Sequence, residues 1–177
     1  LHRTLQTGSH VKEGVTPSIS PSMDIQVSSN FERALFEAYG RDGITVAAQM
    51  DDLKTKGAFT ISQGAIDILR DTFSSGCASE DETYAAITDE LVRSGELLCP
   101  HSAVGVTVAD RSQNAIPMIT LATAHPAKFP EAVEKATGLH PPLPPHMADL
   151  YERLERVTRV PNDLSVLKTL IKERIAK

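Results

Sequence analysis

Three short stretches of this sequence concentrate side chains able to do chemistry. The first, SPSMDIQVSSNFER at 20–33, places Ser20, Ser22, Asp24, Ser28, Ser29 and Asn30 just ahead of an amphipathic segment. Hydroxyls, amides and carboxylates in such a run cap helices and close turns. They also suit an anion: a phosphate takes several N–H and O–H donors together with one or two cations. Capping and turn formation account for Ser28, Ser29 and Asn30, and leave the SPSMD portion without an assigned duty. The second stretch, CPHSAVGV at 99–106, has Pro100 to fix the chain's entry and Ser102 where it would cap a helix carrying Ala103, Val104 and Val106. Free N–H groups at a helix start can face an anion, though most such starts are simply capped. His101 reads either as a packed or surface histidine or as a catalytic one. The third stretch, PMITLATAHPAKF at 117–129, is an apolar run followed by Thr123, His125 and Lys128. In an open parallel sheet, ligands gather beyond the carboxyl ends of strands. There Thr123 would offer a neutral hydroxyl, and His125 and Lys128 would face an anion. Alternatively, Thr123 satisfies a strand end, His125 is half exposed and Lys128 is solvated.

The elements that must position these groups read mainly as helices. Ser29 and Glu32 have capping-box spacing, Phe31, Ala34, Leu35 and Ala38 form one face, and Gly40 closes the segment. A second pattern over 44–56 (Val46, Ala47, Met50, Leu53) stops at Gly57, and a third after Ser62 carries Ile66, Leu69 and Phe73. The Ser79–Glu82 pair repeats the capping box, with Tyr84, Ile87 and Leu91 on one face and Gly95 as the stop. A last helix starts at Asp163 and carries Leu164, Leu167, Leu170, Ile171 and Ile175. Strands are fewer: 58–62, a nearly continuous apolar run at 117–124 that suits a strand buried in a parallel sheet, and 155–160. Helices with few, well-spaced strands predict an α/β class with helices packed on a mostly parallel sheet. HPPLPPH at 140–146 is a proline-stiffened connector, dividing the chain into 1–139 and 140–177.

Composition narrows the function classes. The chain has 177 residues, enough for a buried core, and a net charge of −5 with no Lys/Arg run, which argues against a nucleic-acid partner. No apolar stretch reaches membrane-spanning length. Cys77 and Cys99 form no disulfide framework, so idle thiols in a reducing, cytoplasmic setting are expected. The six histidines include no His-x-x-x-His pair and there is no CxxC, so no metal ligands are assigned. GxGxxG, P-loop and GxSxG motifs are missing as well. The opening residues LHRTLQTGSH have neither an initiator Met nor the pattern of a signal peptide, which suggests a chain that begins partway through a larger protein.

Taken in order, SPSMDIQVSSNFERALFE, CPHSAVGV and LATAHPAKFPEAV resemble the carboxyl-terminal part of the threonine synthase family, in the style of its longer bacterial and fungal branch. The resemblance implies a tryptophan-synthase-β-like, fold-type II pyridoxal-phosphate fold, of which 1–139 would be part of the catalytic domain. It implies a lyase reaction in threonine biosynthesis: O-phospho-L-homoserine loses phosphate from Cγ, and water adds at Cβ to give L-threonine. It implies pyridoxal 5'-phosphate as cofactor of the full-length enzyme. The family's Schiff-base lysine and glycine-rich phosphate loop lie upstream. None of the eight lysines here stands in that motif, so no catalytic residue is assigned and the missing amino-terminal part is an expected partner. By the same resemblance, Thr123 faces the cofactor's pyridine nitrogen. Ser22, Asp24, Asn30, Arg33, His101, Ser102 and Lys128 lie at the substrate or the domain interface, Lys128 toward its anionic end. Two other readings stay open at this level: a non-catalytic ligand- or partner-binding domain of the same ancestry, and another fold-type II lyase such as a dehydratase.

Overall fold

Local signals in the chain set most helix ends. The structure, a computed structural model, describes residues 1–112 and 116–176 and falls into two units, Leu1–Pro142 and Leu143–Lys177. The first unit opens with α1 (His2–Thr7) and β1 (Ser9–Val11). Then come α2 (Ser29–Ala38), α3 (Gly43–Thr55), β2 (Ala58–Thr60) and α4 (Gln63–Thr72). It closes with α5 (Glu80–Ser94), α6 (Pro100–Asp110) and α7 (Pro130–Thr137). Asp42 caps α3 by accepting from the N–H groups of Ile44 and Thr45, and Ser62 caps α4 through Ala65 N–H. A full capping box starts α5: Ser79 accepts from Glu82 N–H while the Glu82 carboxylate accepts from Ser79 N–H. Gly95, at φ 79°, ends it in the left-handed conformation that side chains resist.

Burial follows the amphipathic faces. Leu35 and Ala38 of α2, Val46 and Leu53 of α3, Phe59 of β2, Ile61, and Ala65, Ile66 and Leu69 of α4 form one apolar core. Helix α5 packs against α6 and against α7, with Ile87, Ala103 and Val133 fully buried on the three. In the second unit two 3₁₀ turns (Pro145–Met147 and Leu150–Glu152) precede α8 (Leu164–Ile175), capped by Asp163. The apolar stripe of α8 is largely exposed.

The sheet corrects the sequence reading. The chain is α/β, but among the described residues the sheet is a single antiparallel pair, β1 with β2, in register His10 opposite Phe59. The expected strand at 117–124 has no regular secondary structure, and Ile119 and Leu121 are 83% and 74% exposed. A parallel strand takes its backbone bonds from neighbouring strands, and among the described residues none lies beside this one. The same reason removes the expected strand at 155–160, which is exposed throughout. Residues 117–124 still lean on α6: a Cβ added at Gly105 would lie 3.1 Å from Thr120 Cγ2, so glycine permits that approach. The Ser29–Glu32 capping box is also absent, because α2 begins one residue earlier than expected, with Ser28 at the cap and no side-chain cap bond.

The two serine-led starts should therefore differ in stability measurements. Ser79→Ala removes a side-chain acceptor and should cost about 1 kcal/mol. Ser29→Ala at an exposed position without a cap bond should stay within roughly 0.5 kcal/mol. Denaturant midpoints for the two variants check this, and equal losses would mean that α2 is capped after all.

Candidate functional site

The first turn of α6 is where the three stretches meet. A helix start leaves its first N–H groups without intrahelical acceptors. Here Pro100 takes a position that needs no donor, and the Cys99 thiol accepts from Ser102 N–H at 3.4 Å. Cys99, Pro100 and Ser102 are buried and His101 is half-buried. Two adjacent side chains then reach in different directions. Ser102 Oγ accepts the backbone N–H of Thr123 at 3.1 Å, and His101 Nε2 accepts the backbone N–H of Ser22 at 3.1 Å. These contacts span 21 and 79 positions of sequence.

The acceptor duty of Nε2 leaves the proton of the neutral imidazole on Nδ1. That Nδ1 is buried and has no hydrogen-bond partner among the described residues. The ring stacks, tilted, on Phe129 with centroids 4.5 Å apart. Burial pushes the His101 pKa below its usual range, the Lys128 ammonium pushes it the same way, and the Asp24 carboxylate opposes both. The imidazole is thus kept in the neutral form that can accept from Ser22.

The other sequence-assigned residues take distinct places. Asp24 closes its own loop: one carboxylate oxygen accepts from Ser18 N–H at 2.7 Å and the other from Ser18 Oγ at 2.8 Å. It therefore serves the loop first. Lys128 lies in a 3₁₀ turn (Pro126–Lys128) capped by His125, whose Nδ1 accepts from Ala127 N–H. Its ammonium is 5.9 Å from the Phe129 ring centroid, and it lines a cavity of about 320 Å³ with Pro21, Phe129 and Lys135. Ser22 and Asp24 line a larger cavity of about 580 Å³, together with Ser20, Met23 and Val104. Asn30 and Arg33 are not gathered with these groups. Both are exposed on α2, and Arg33 lines a third hollow with Phe36 and Val46. Thr123 is exposed, and its hydroxyl has no hydrogen-bond partner among the described residues.

Several supporting residues carry duties that no sequence motif assigns to them. Ser20 is 4% exposed with an unpartnered hydroxyl at the larger cavity, and only its place in the SPSMD run hinted at a duty. Cys99, read as an idle thiol, caps α6. His10 ties β1 to the loop before α2: Nε2–H donates to the Gln26 carbonyl at 3.2 Å while Nδ1 accepts from Thr4 Oγ1 at 2.9 Å. Burial lowers its pKa, the bond to Gln26 only partly offsetting that effect. No local motif marks such a histidine.

With this arrangement in view, the comparisons are specific. Residues 102–171 match a family model described as threonine synthase, C-terminal. The threonine synthase of Pseudomonas aeruginosa is 46% identical over 176 residues, covering 98% of this chain and 38% of the relative. This chain matches the carboxyl-terminal part of threonine synthases. A PLP-bound threonine synthase from Brucella melitensis superposes with a TM-score of 0.84 at 47% identity, over 97% of this chain and 37% of that one. The yeast threonine synthase gives a TM-score of 0.79 at 31% identity, over 99% of this chain and 40% of that one. The chain spans about two fifths of the length of these threonine synthases. No helix among the described residues is long and apolar enough to cross a membrane.

The bond between Ser22 and His101 has a pH signature. It requires unprotonated Nε2, and the folded pKa lies below the unfolded value. The closed turn should therefore keep its full stability above about pH 6.5 and lose it progressively below, as the opened turn takes up the proton that the closed one refuses. Hydrogen exchange at the Ser22 amide, corrected for intrinsic rates, should follow that course. His101→Ala should weaken protection at every pH and abolish its pH dependence.

Proposed function

We propose that this chain is the carboxyl-terminal segment of a threonine synthase, a pyridoxal-phosphate-dependent carbon–oxygen lyase acting on a phosphorylated substrate. The whole polypeptide would convert O-phospho-L-homoserine and water to L-threonine and phosphate in a cytoplasmic setting, which the free thiols of Cys77 and Cys99 suit. The observation that carries this reading is Thr123, whose main chain is held by a buried hydroxyl while its own hydroxyl stays without a partner. The likeness to a PLP-bound threonine synthase supports the same cofactor here.

The donor set fits the pyridine end of that group. A neutral hydroxyl can face a ring nitrogen either as donor or acceptor and adds no charge. Pyridoxal phosphate, when bound, supplies an electron sink for the substrate's carbanions. If it faced the ring nitrogen, Thr123 would leave that nitrogen unprotonated more of the time than an aspartate would. The covalent lysine is assigned to the remainder of the polypeptide, because no lysine of this chain stands in the family's lysine motif.

The remaining residues divide by what the structure leaves them free to do. Ser22 keeps its side chain for the larger cavity, since its tie to His101 uses the main chain. Lys128 gives a cation for the substrate's anionic end. Asp24 shapes the loop through Ser18. Asn30 and Arg33, exposed on α2, suit the interface with the remainder of the polypeptide. The boundary proposed near 139 assigns the substrate-facing residues to the first unit, with the segment from 140 serving as connector and terminal helix.

Phosphate release from O-phospho-L-homoserine by the complete polypeptide tests the reading. Thr123→Val keeps the side-chain shape and removes one hydrogen bond, so turnover should fall roughly tenfold and the bound cofactor's visible absorbance should change. Thr123→Asp should change the absorbance further, by favouring a protonated ring nitrogen. Wild-type turnover and absorbance in Thr123→Val would overturn the assignment.

A further inference from the structure

We infer that Ser102 is a positioning residue, not a substrate ligand: its buried hydroxyl holds the main chain of Thr123 so that the Thr123 hydroxyl is presented to the cofactor's ring nitrogen. The inference rests on the reading of Thr123 given above and concerns a different atom. Ser102 is 3% exposed, and its hydroxyl is engaged on two sides. It accepts Thr123 N–H at 3.1 Å and lies 3.2 Å from the Cys99 thiol, which also accepts Ser102 N–H. Little of it is left for a substrate.

Within the described residues Thr123 is held by this bond and not by a strand ladder. Ladder bonds normally fix the residues at a strand end, but among the described residues 117–124 has no strand partner. Among the described residues, the contacts of the segment with α6 include the close approach of Thr120 to Gly105 and the bond from Thr123 to Ser102, and the second acts on residue 123 itself. Without Oγ the Thr123 N–H loses its acceptor, and nothing in the described structure replaces it. A small rotation of this peptide would move the side-chain hydroxyl away from a fixed ring. Positioning errors of that size lower turnover without abolishing binding.

The test uses the complete polypeptide with pyridoxal phosphate bound. It compares Ser102→Thr, which keeps a hydroxyl, with Ser102→Val, which has the same shape without one, and each is also made in a Thr123→Val background. Readouts are phosphate release and the pH midpoint of the cofactor's visible absorbance, with far-ultraviolet circular dichroism as the check on folding. Ser102→Val should lower turnover roughly tenfold and move the midpoint in the direction that Thr123→Val moves it. Ser102→Thr should stay near wild type, and Ser102→Val should add nothing once Thr123 is Val. Where Ser102→Val does not fold, Ser102→Ala takes its place in the same cycle. A midpoint that moves in Thr123→Val but not in Ser102→Val defeats the role of Ser102 alone. Additive effects of the two substitutions, or equal losses in Ser102→Thr and Ser102→Val, defeat it too. A midpoint unmoved by Thr123→Val defeats the reading of Thr123, and this inference with it.

Discussion

The unsatisfied N–H groups at the start of α6 are the constraint around which the site is arranged. A buried helix start must find acceptors for its N–H groups, and here the Cys99 thiol accepts from Ser102 N–H while Pro100 has no N–H to satisfy. The side chains of the next two residues are then available for longer-range contacts. His101 holds the turn at Ser22, and Ser102 holds the segment at Thr123. Both hold backbone N–H groups, so they fix main-chain position and leave the held residues' own side chains free.

A division of labour follows. Groups that shape the site have their hydrogen bonds made within the chain: Asp24 through Ser18, His125 through Ala127, and His10 through Thr4 and Gln26. Other groups among the described residues keep unused capacity, including the hydroxyls of Ser20 and Thr123 and the Nδ1 of His101. A buried polar atom without a partner is costly, which is reason to regard Ser20 as part of the site and not of the scaffold. Burial first, and the Lys128 ammonium beside it, hold His101 neutral against the pull of Asp24, which keeps the clamp intact.

Much of the helical framework was legible in the sequence because caps and stops are local. Ser62, Ser79, Gly95 and Asp163 mark the ends expected of them. The Ser29 box failed because α2 begins one residue earlier, at a cap that makes no side-chain bond. The parallel sheet is not seen among the described residues for a different reason. Apolar runs report burial preference, whereas a sheet is a pairing property, and residues 117–124 have no partner strand among those described. Of the motif residues, Ser22, His101, Ser102 and Thr123 come together around the start of α6. What each one does was hidden, because a hydroxyl that binds a ligand and one that binds a distant amide look alike in sequence. Nor did sequence separate Asn30 and Arg33 from the rest, since proximity along the chain gave no hint of a separate hollow.

Both neighbouring contacts must survive in the complete polypeptide for His101 and Ser102 to act as described. A crystal structure of that polypeptide with pyridoxal phosphate bound measures them directly. Ser102 Oγ to Thr123 N and His101 Nε2 to Ser22 N should both lie within hydrogen-bond distance, with Thr123 Oγ1 at the ring nitrogen. A structure in which either amide is held by some other group, or in which Ser102 Oγ itself contacts the substrate or the cofactor, would contradict it.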